Sequence, residues 1–126
     1  MINKVQTVLD TALASSGVYS YWKRKTKTNG STVDEYIVYT IGGDAATYAD
    51  NDPLIRNANI TIRYYYRDTL LDTSTGKTQI ETRIGTIITA LEGSGFKVPY
   101  GHFDAGDIDD TGFAATVIES FYGRMF

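Results

Sequence analysis

The sequence has no cysteine and, in 126 residues, only two prolines, one histidine and one tryptophan. Without cysteine there is neither a disulfide nor a thiolate metal site. The single histidine, His102, sits in Pro99-Tyr-Gly-His-Phe103. Catalysis through it would need a nucleophile or carboxylate brought close by folding, and no local signature marks one. The expectation is therefore a protein that is not an enzyme and has no cofactor or metal. No apolar segment approaches the ~20 residues of a membrane span. The opening Met1-Ile-Asn-Lys-Val-Gln lacks the charged stretch and apolar run of a signal peptide, so the chain is expected to stay in the cytoplasm of the cell that makes it. In that setting Asn29-Gly-Ser31 and Asn59-Ile-Thr61 carry no glycosylation meaning. Positive charge is also short, at 12 Lys and Arg against 15 Asp and Glu, a net charge of −3. General nucleic-acid binding needs a clustered basic surface, so no specific nucleic-acid partner is expected.

What the chain does have is ordinary globular composition, 42% hydrophobic and 21% charged, with an unusual weighting toward tyrosine: ten Tyr against five Phe and one Trp. Residues 1–126 fit one domain with one modest core. Ile2, Val5, Val8, Leu9, Ala12 and Leu13 follow the spacing of an amphipathic helix that Gly17 ends. Val18–Trp22 reads as a short strand. Glu35-Tyr-Ile-Val-Tyr-Thr-Ile41 and Asn59-Ile-Thr-Ile-Arg-Tyr-Tyr-Tyr-Arg67 read as two longer ones. A second helix carries the stripe Ile80, Ile84, Ile87, Ile88 and Leu91, with Thr78 and Glu81 as a capping box and Gly93 as its stop. Phe96–Pro99 is expected as a short strand, Gly101–Gly112 as an acidic turn, and Phe113–Phe121 as the last strand. The fold class is α+β: a small, three- or four-stranded, largely antiparallel sheet with two helices packed on one face, in the order α-β-β-β-α-β-β. In the Asn59 strand, Ile60, Ile62, Tyr64 and Tyr66 should face the helices, while Thr61, Arg63, Tyr65 and Arg67 face outward.

Three local patterns look like chemistry and fail on inspection. Gly76-Lys-Thr78 lies where a phosphate-binding loop would end, but that loop needs a glycine five residues earlier, where Leu71 stands. Asp107-Ile-Asp-Asp-Thr-Gly112 resembles the start of a calcium loop, yet the position of the bidentate glutamate is Ile118. Lys23-Arg-Lys-Thr-Lys27 is a basic run beside an Asn-Gly turn, the mark of an exposed connection.

The connection between the two long strand runs is far longer than most hairpin loops, and such loops usually have a use. Tyr36-Ile-Val-Tyr39, Tyr48-Ala-Asp-Asn51, Ile60-Thr-Ile-Arg-Tyr-Tyr65 and the Ile80–Leu91 helix together resemble the tail completion (tail terminator) and head–tail joining proteins of long-tailed bacteriophages and prophages. The chain departs from that family in having Gly17-Val-Tyr-Ser-Tyr21 where a proline-rich strand start is common. The resemblance implies a structural protein that closes into a ring, commonly a hexamer, on the tail tube. Its partners would be copies of itself, the tail tube protein and the head connector. Its location would be the host cytoplasm during assembly and then the virion. It also implies that the loop around Tyr48, Asp50 and Asn51 reaches a neighbour. Arg56 joins Tyr48 as a candidate anchor, because interface energy concentrates in tyrosine and arginine, and Arg63, Tyr65 and Arg67 form a second candidate surface. The alternatives are a head–tail connector or minor capsid component, and, in a different class, a small ligand-binding α+β domain.

Overall fold

The computed structural model describes residues 2–14, 16–23, 34–43, 57–108 and 112–123. These form α1 (Ile2–Ala12), β1 (Tyr19–Trp22), β2 (Glu35–Gly43), β3 (Asn57–Arg67), a 3-10 turn (Asp68–Asp72), α2 (Ser74–Gly93), β4 (His102–Ile108) and β5 (Phe113–Gly123). The strands make one sheet in the order β1-β2-β3-β5-β4. All pairings are antiparallel except β1 with β2, which is parallel.

The middle strand, β3, organises the core. Its Ala58, Ile60, Ile62, Tyr64 and Tyr66 are buried, in register with Ile37 and Tyr39 of β2 and Ala114 and Ile118 of β5. Against this face pack Val5, Leu9 and Leu13 from the α1 region and Ile80, Ile84, Ile87 and Leu91 of α2. Both helices therefore lie on one side, as the apolar stripes require, and each fully buried Ile or Leu contributes about 1.5–3 kcal/mol of transfer free energy. Gln6 ties α1 to the sheet by polar contacts. Its Oε1 accepts from the Tyr39 hydroxyl at 2.6 Å, and its Nε2 donates to the Ser20 carbonyl at 3.1 Å.

The structure differs from the sequence expectation at three places. The sheet has five strands, because His102–Ile108 within the expected acidic turn is β4, while Phe96–Pro99 makes only an isolated bridge between Lys97 and Phe121. An acidic segment can form an edge strand because its carboxylates stay in water; His102, Phe103, Asp104 and Ala105 are all exposed. The cap of α2 is Thr73, whose hydroxyl accepts from Gly76 N–H at 2.9 Å, so Thr78 and Glu81 lie inside the helix rather than forming a capping box.

The packing of this helix start explains the glycine of Gly76-Lys-Thr78. Gly76 is buried, and a Cβ there would lie 2.1 Å from the Leu70 carbonyl oxygen. The helix start is pressed onto the 3-10 turn so closely that only glycine fits. Gly76→Ala should therefore destabilise by about 1–3 kcal/mol or more through overpacking against backbone, despite alanine's better helix propensity. Gly85, in the same helix, has nothing within 4 Å of its Cβ position, so Gly85→Ala should stabilise by about 0.5–1 kcal/mol. Urea unfolding of the two variants measures both signs.

Candidate assembly surface

The face of the sheet opposite the helices is aromatic. Register places Tyr19 beside Tyr36, Tyr36 beside Tyr65, and Tyr65 beside Ala115. A second row runs Tyr21, Val38, Arg63, Val117 and Phe103. The Tyr36 and Tyr65 rings stack at 4.8 Å with a 17° interplanar angle, and Tyr36 meets Phe113 edge-on at 5.4 Å. Such pairs add about 0.5–1.5 kcal/mol beyond the area they bury. Ala115 and Val117 are buried on this face although they lie outside the helix-side core; they are the small residues between larger flanking side chains. Toward the edges the aromatics open to solvent, Tyr19 at 53% and Phe103 at 52% exposure.

Arg63, Tyr65 and Arg67 share this face, as the alternation of β3 requires. Their environments differ. Arg63 is exposed and Tyr65 is half-buried under its stack with Tyr36. Arg67 is engaged by its own chain: Nε donates to Asp34 Oδ1 at 3.1 Å, and the guanidinium lies 4.7 Å from the centre of the Phe113 ring. Arg67 thus braces the face, and among the described residues Arg63 is the exposed cation on it. Tyr48, Asp50, Asn51 and Arg56 lie outside the described residues.

Tyr36, Phe113 and Phe103 were not among the sequence-derived candidates. Tyr36 was legible, since it alternates with buried Ile37 in β2. Phe103 was hidden by reading its segment as a turn, and the contact of Phe113 with Tyr36 depends on the pairing of β3 with β5.

On the covered side sits the one carboxylate buried among the described residues, Glu35. It accepts a hydrogen bond from the Tyr64 hydroxyl, one from Gln79 Nε2 at 2.6 Å and one from Arg83 Nε at 3.2 Å. All its polar contacts point to structure: they fasten the first turns of α2 to β2 and β3. A buried ion pair is weak evidence of net stabilisation, but removing one partner is costly. Arg83→Ala should cost on the order of 3 kcal/mol and Glu35→Leu about 1–3 kcal/mol, because Tyr64 and Gln79 lose their acceptor; chemical denaturation checks both.

Three phenols are held protonated. Burial raises Tyr36, with Tyr65 adding to it. Burial, then the Asp10 carboxylate, pushes Tyr39 up to about 12. Burial, then the hydrogen bond to Glu35, raises Tyr64 further. A phenol whose folded pKa exceeds its unfolded value of 10.0 contributes stability that is complete below pH 10 and is lost as pH climbs through about 12. An ultraviolet phenolate titration should show a late-ionising class of tyrosines, and Tyr39→Phe should remove one member of it.

Of the three failed motifs only Gly76-Lys-Thr78 lies wholly among the described residues; residues 24–27 of the basic run and 109–111 of the acidic one lie outside them. Gly76 N–H is already bonded to Thr73. Among the described residues no group of three or more His, Asp or Glu side chains lies close enough to hold a metal ion, and no described helix is long and apolar enough to cross a membrane. A groove of about 490 Å³ beside α1 and α2, lined by Ala12, Thr82, Gly85, Thr86, Thr89 and Ala90, offers threonine hydroxyls but no charged group. No protein-family model matches the chain, and no curated protein matches it either.

Proposed function

We propose that this chain is a structural subunit of a phage tail or neck that closes into a ring at the end of the tail tube and joins it to the head connector, without a catalytic step or cofactor. The observation that carries the reading is the sheet face away from the helices. It presents stacked tyrosines, half-exposed edge aromatics and the exposed Arg63, and no described element crosses it. Interface cores are enriched in tyrosine, phenylalanine and arginine and poor in lysine and glutamate. The family resemblance supplies the identity of the partners: copies of the chain, the tube protein and the connector. The loop residues Tyr48, Asp50, Asn51 and Arg56 belong to the same proposal, as a second contact. Assembly in the host cytoplasm followed by incorporation in the virion completes it.

Light scattering of the purified chain should report a closed oligomer of several copies, and cosedimentation with purified tail tubes should report binding. A protein that stays monomeric at every concentration sinks the ring reading. Arg63→Glu is expected to leave stability within about 0.5 kcal/mol, as for an exposed position, and to abolish tube binding. Unimpaired tube binding by Arg63→Glu would move the contact off this face.

A further inference from the structure

Resting on the ring reading, we infer that neighbouring subunits join by their sheet edges, β1 of one copy pairing antiparallel with the His102–Asp104 half of β4 of the next. The two edges are the ends of the strand order, and among the described residues neither pairs with anything on its outer side. An unpaired edge presents backbone donors and acceptors as a template for another chain. Soluble proteins usually guard such edges with lysine or proline within the strand. Tyr19-Ser-Tyr-Trp22 has neither.

Strand direction selects the pairing. If β2 points up, β1 points up, β3 down, β5 up and β4 down. Copies related by rotation about an axis near the strand direction all keep that sense. The β1 edge of one therefore meets the β4 edge of the next antiparallel, with every helix layer on the same side of the continued sheet. Such a contact joins two different surfaces of the subunit, which is the kind that closes rings.

Side chains agree on both faces. On the aromatic face Tyr19 and Tyr21 meet Phe103; on the helix face Ser20 and Trp22 meet His102 and Asp104. Setting Tyr21 opposite Phe103 puts Trp22 opposite His102 and Ser20 opposite Asp104. It covers three residues that are half-exposed or nearly so in the single copy: Tyr19 at 53%, Trp22 at 41% and Phe103 at 52%. The pairing stops where β4 shifts register between Asp104 and Gly106, which matches the shortness of β1. At the other end, Lys23 takes a positive φ of 70° and turns the chain out of the strand. Gln6 holds the Ser20 carbonyl from the helix side, which leaves that oxygen its second lone pair.

The ring reading excludes the symmetric alternatives. Pairing β4 with β4, or β1 with β1, joins like surfaces and ends at a dimer, whereas β1 with β4 joins two unlike surfaces and repeats from copy to copy.

The absence of native cysteine makes the test direct. Residues opposite each other in an antiparallel pair have Cβ atoms about 4.5–5.5 Å apart, near enough for a disulfide after small adjustment. Tyr21→Cys and Phe103→Cys are made singly and together, checked for unchanged melting temperature, and oxidised mildly. Each single variant alone should stay uncrosslinked, their equimolar mixture should give a disulfide dimer, and the double variant a ladder ending in a closed ring. Crosslinking of a single variant with itself, or rings by light scattering without crosslinks in the mixture, overturns the edge pairing and leaves the ring reading standing. A monomer throughout overturns both.

Discussion

Everything in this fold depends on β3 being read correctly on both sides at once. It is the middle strand, bonded along its length to β2 and to β5, and its side chains sort strictly by parity. The even positions from Ala58 to Tyr66 make the floor on which both helices sit, and the odd positions build the aromatic face. Because the period of a strand is two, a slip of one residue would put Arg63 and Arg67 under α2 and turn Ile60 and Ile62 to water. The Glu35 node guards against that slip. The carboxylate has acceptor sites for Tyr64, Gln79 and Arg83 together only in the observed register, so the buried charge specifies alignment whatever its net energy.

That parity was legible in the sequence because Ile-Thr-Ile-Arg-Tyr-Tyr-Tyr-Arg alternates over four pairs, and nothing else produces such a pattern cheaply. The helix stripes were legible for the same reason, from a period of 3.6. What escaped was information that is not periodic. β4 contains Asp104, Gly106 and Asp107, residues poor in strand propensity, and it forms because β5 offers it a partner. The cap at Thr73 escaped because a nearer Thr-x-x-Glu pattern satisfied the rule for a capping box. The purpose of Gly76 was invisible because it answers to Leu70, a residue six positions earlier whose carbonyl approaches only in three dimensions. On the outer face, Arg63 and Tyr65 followed from alternation, but that Arg67 is occupied by Asp34 and Phe113 could not be foreseen without the fold.

The two faces of the sheet also differ in kind. The helix side is closed mostly by aliphatic side chains, with Tyr39, Tyr64 and Tyr66 buried among them and their hydroxyls bonded to Gln6, Glu35 and Thr116. The outer side is held by flat rings lying on one another and by a guanidinium over Phe113, interactions that tolerate a wet boundary because each ring keeps a polar tip or an exposed edge. A surface of that sort is stable enough to exist uncovered yet still has apolar area to lose when something lies across it. It keeps its shape before contact, so little ordering entropy remains to oppose binding.

The parallel pairing of β1 with β2 has a consequence for how the chain is put together. β2 with β3 and β4 with β5 are neighbours in sequence, and α2 packs beside the turn that leads into it. All of these contacts close over short stretches of chain. β1 is also near its partner in sequence, Tyr19 lying against Tyr36, whereas β3 reaches β5 across the whole of α2. It is weakly held for other reasons: it is four residues long, its pairing is of the less stable kind, and it is reinforced mainly by Gln6 reaching from α1. Those features place it early in local unfolding. One of the two outer edges of the sheet would then be the first part of it to open, and the edge pairing inferred above would hold only copies in which β1 is docked.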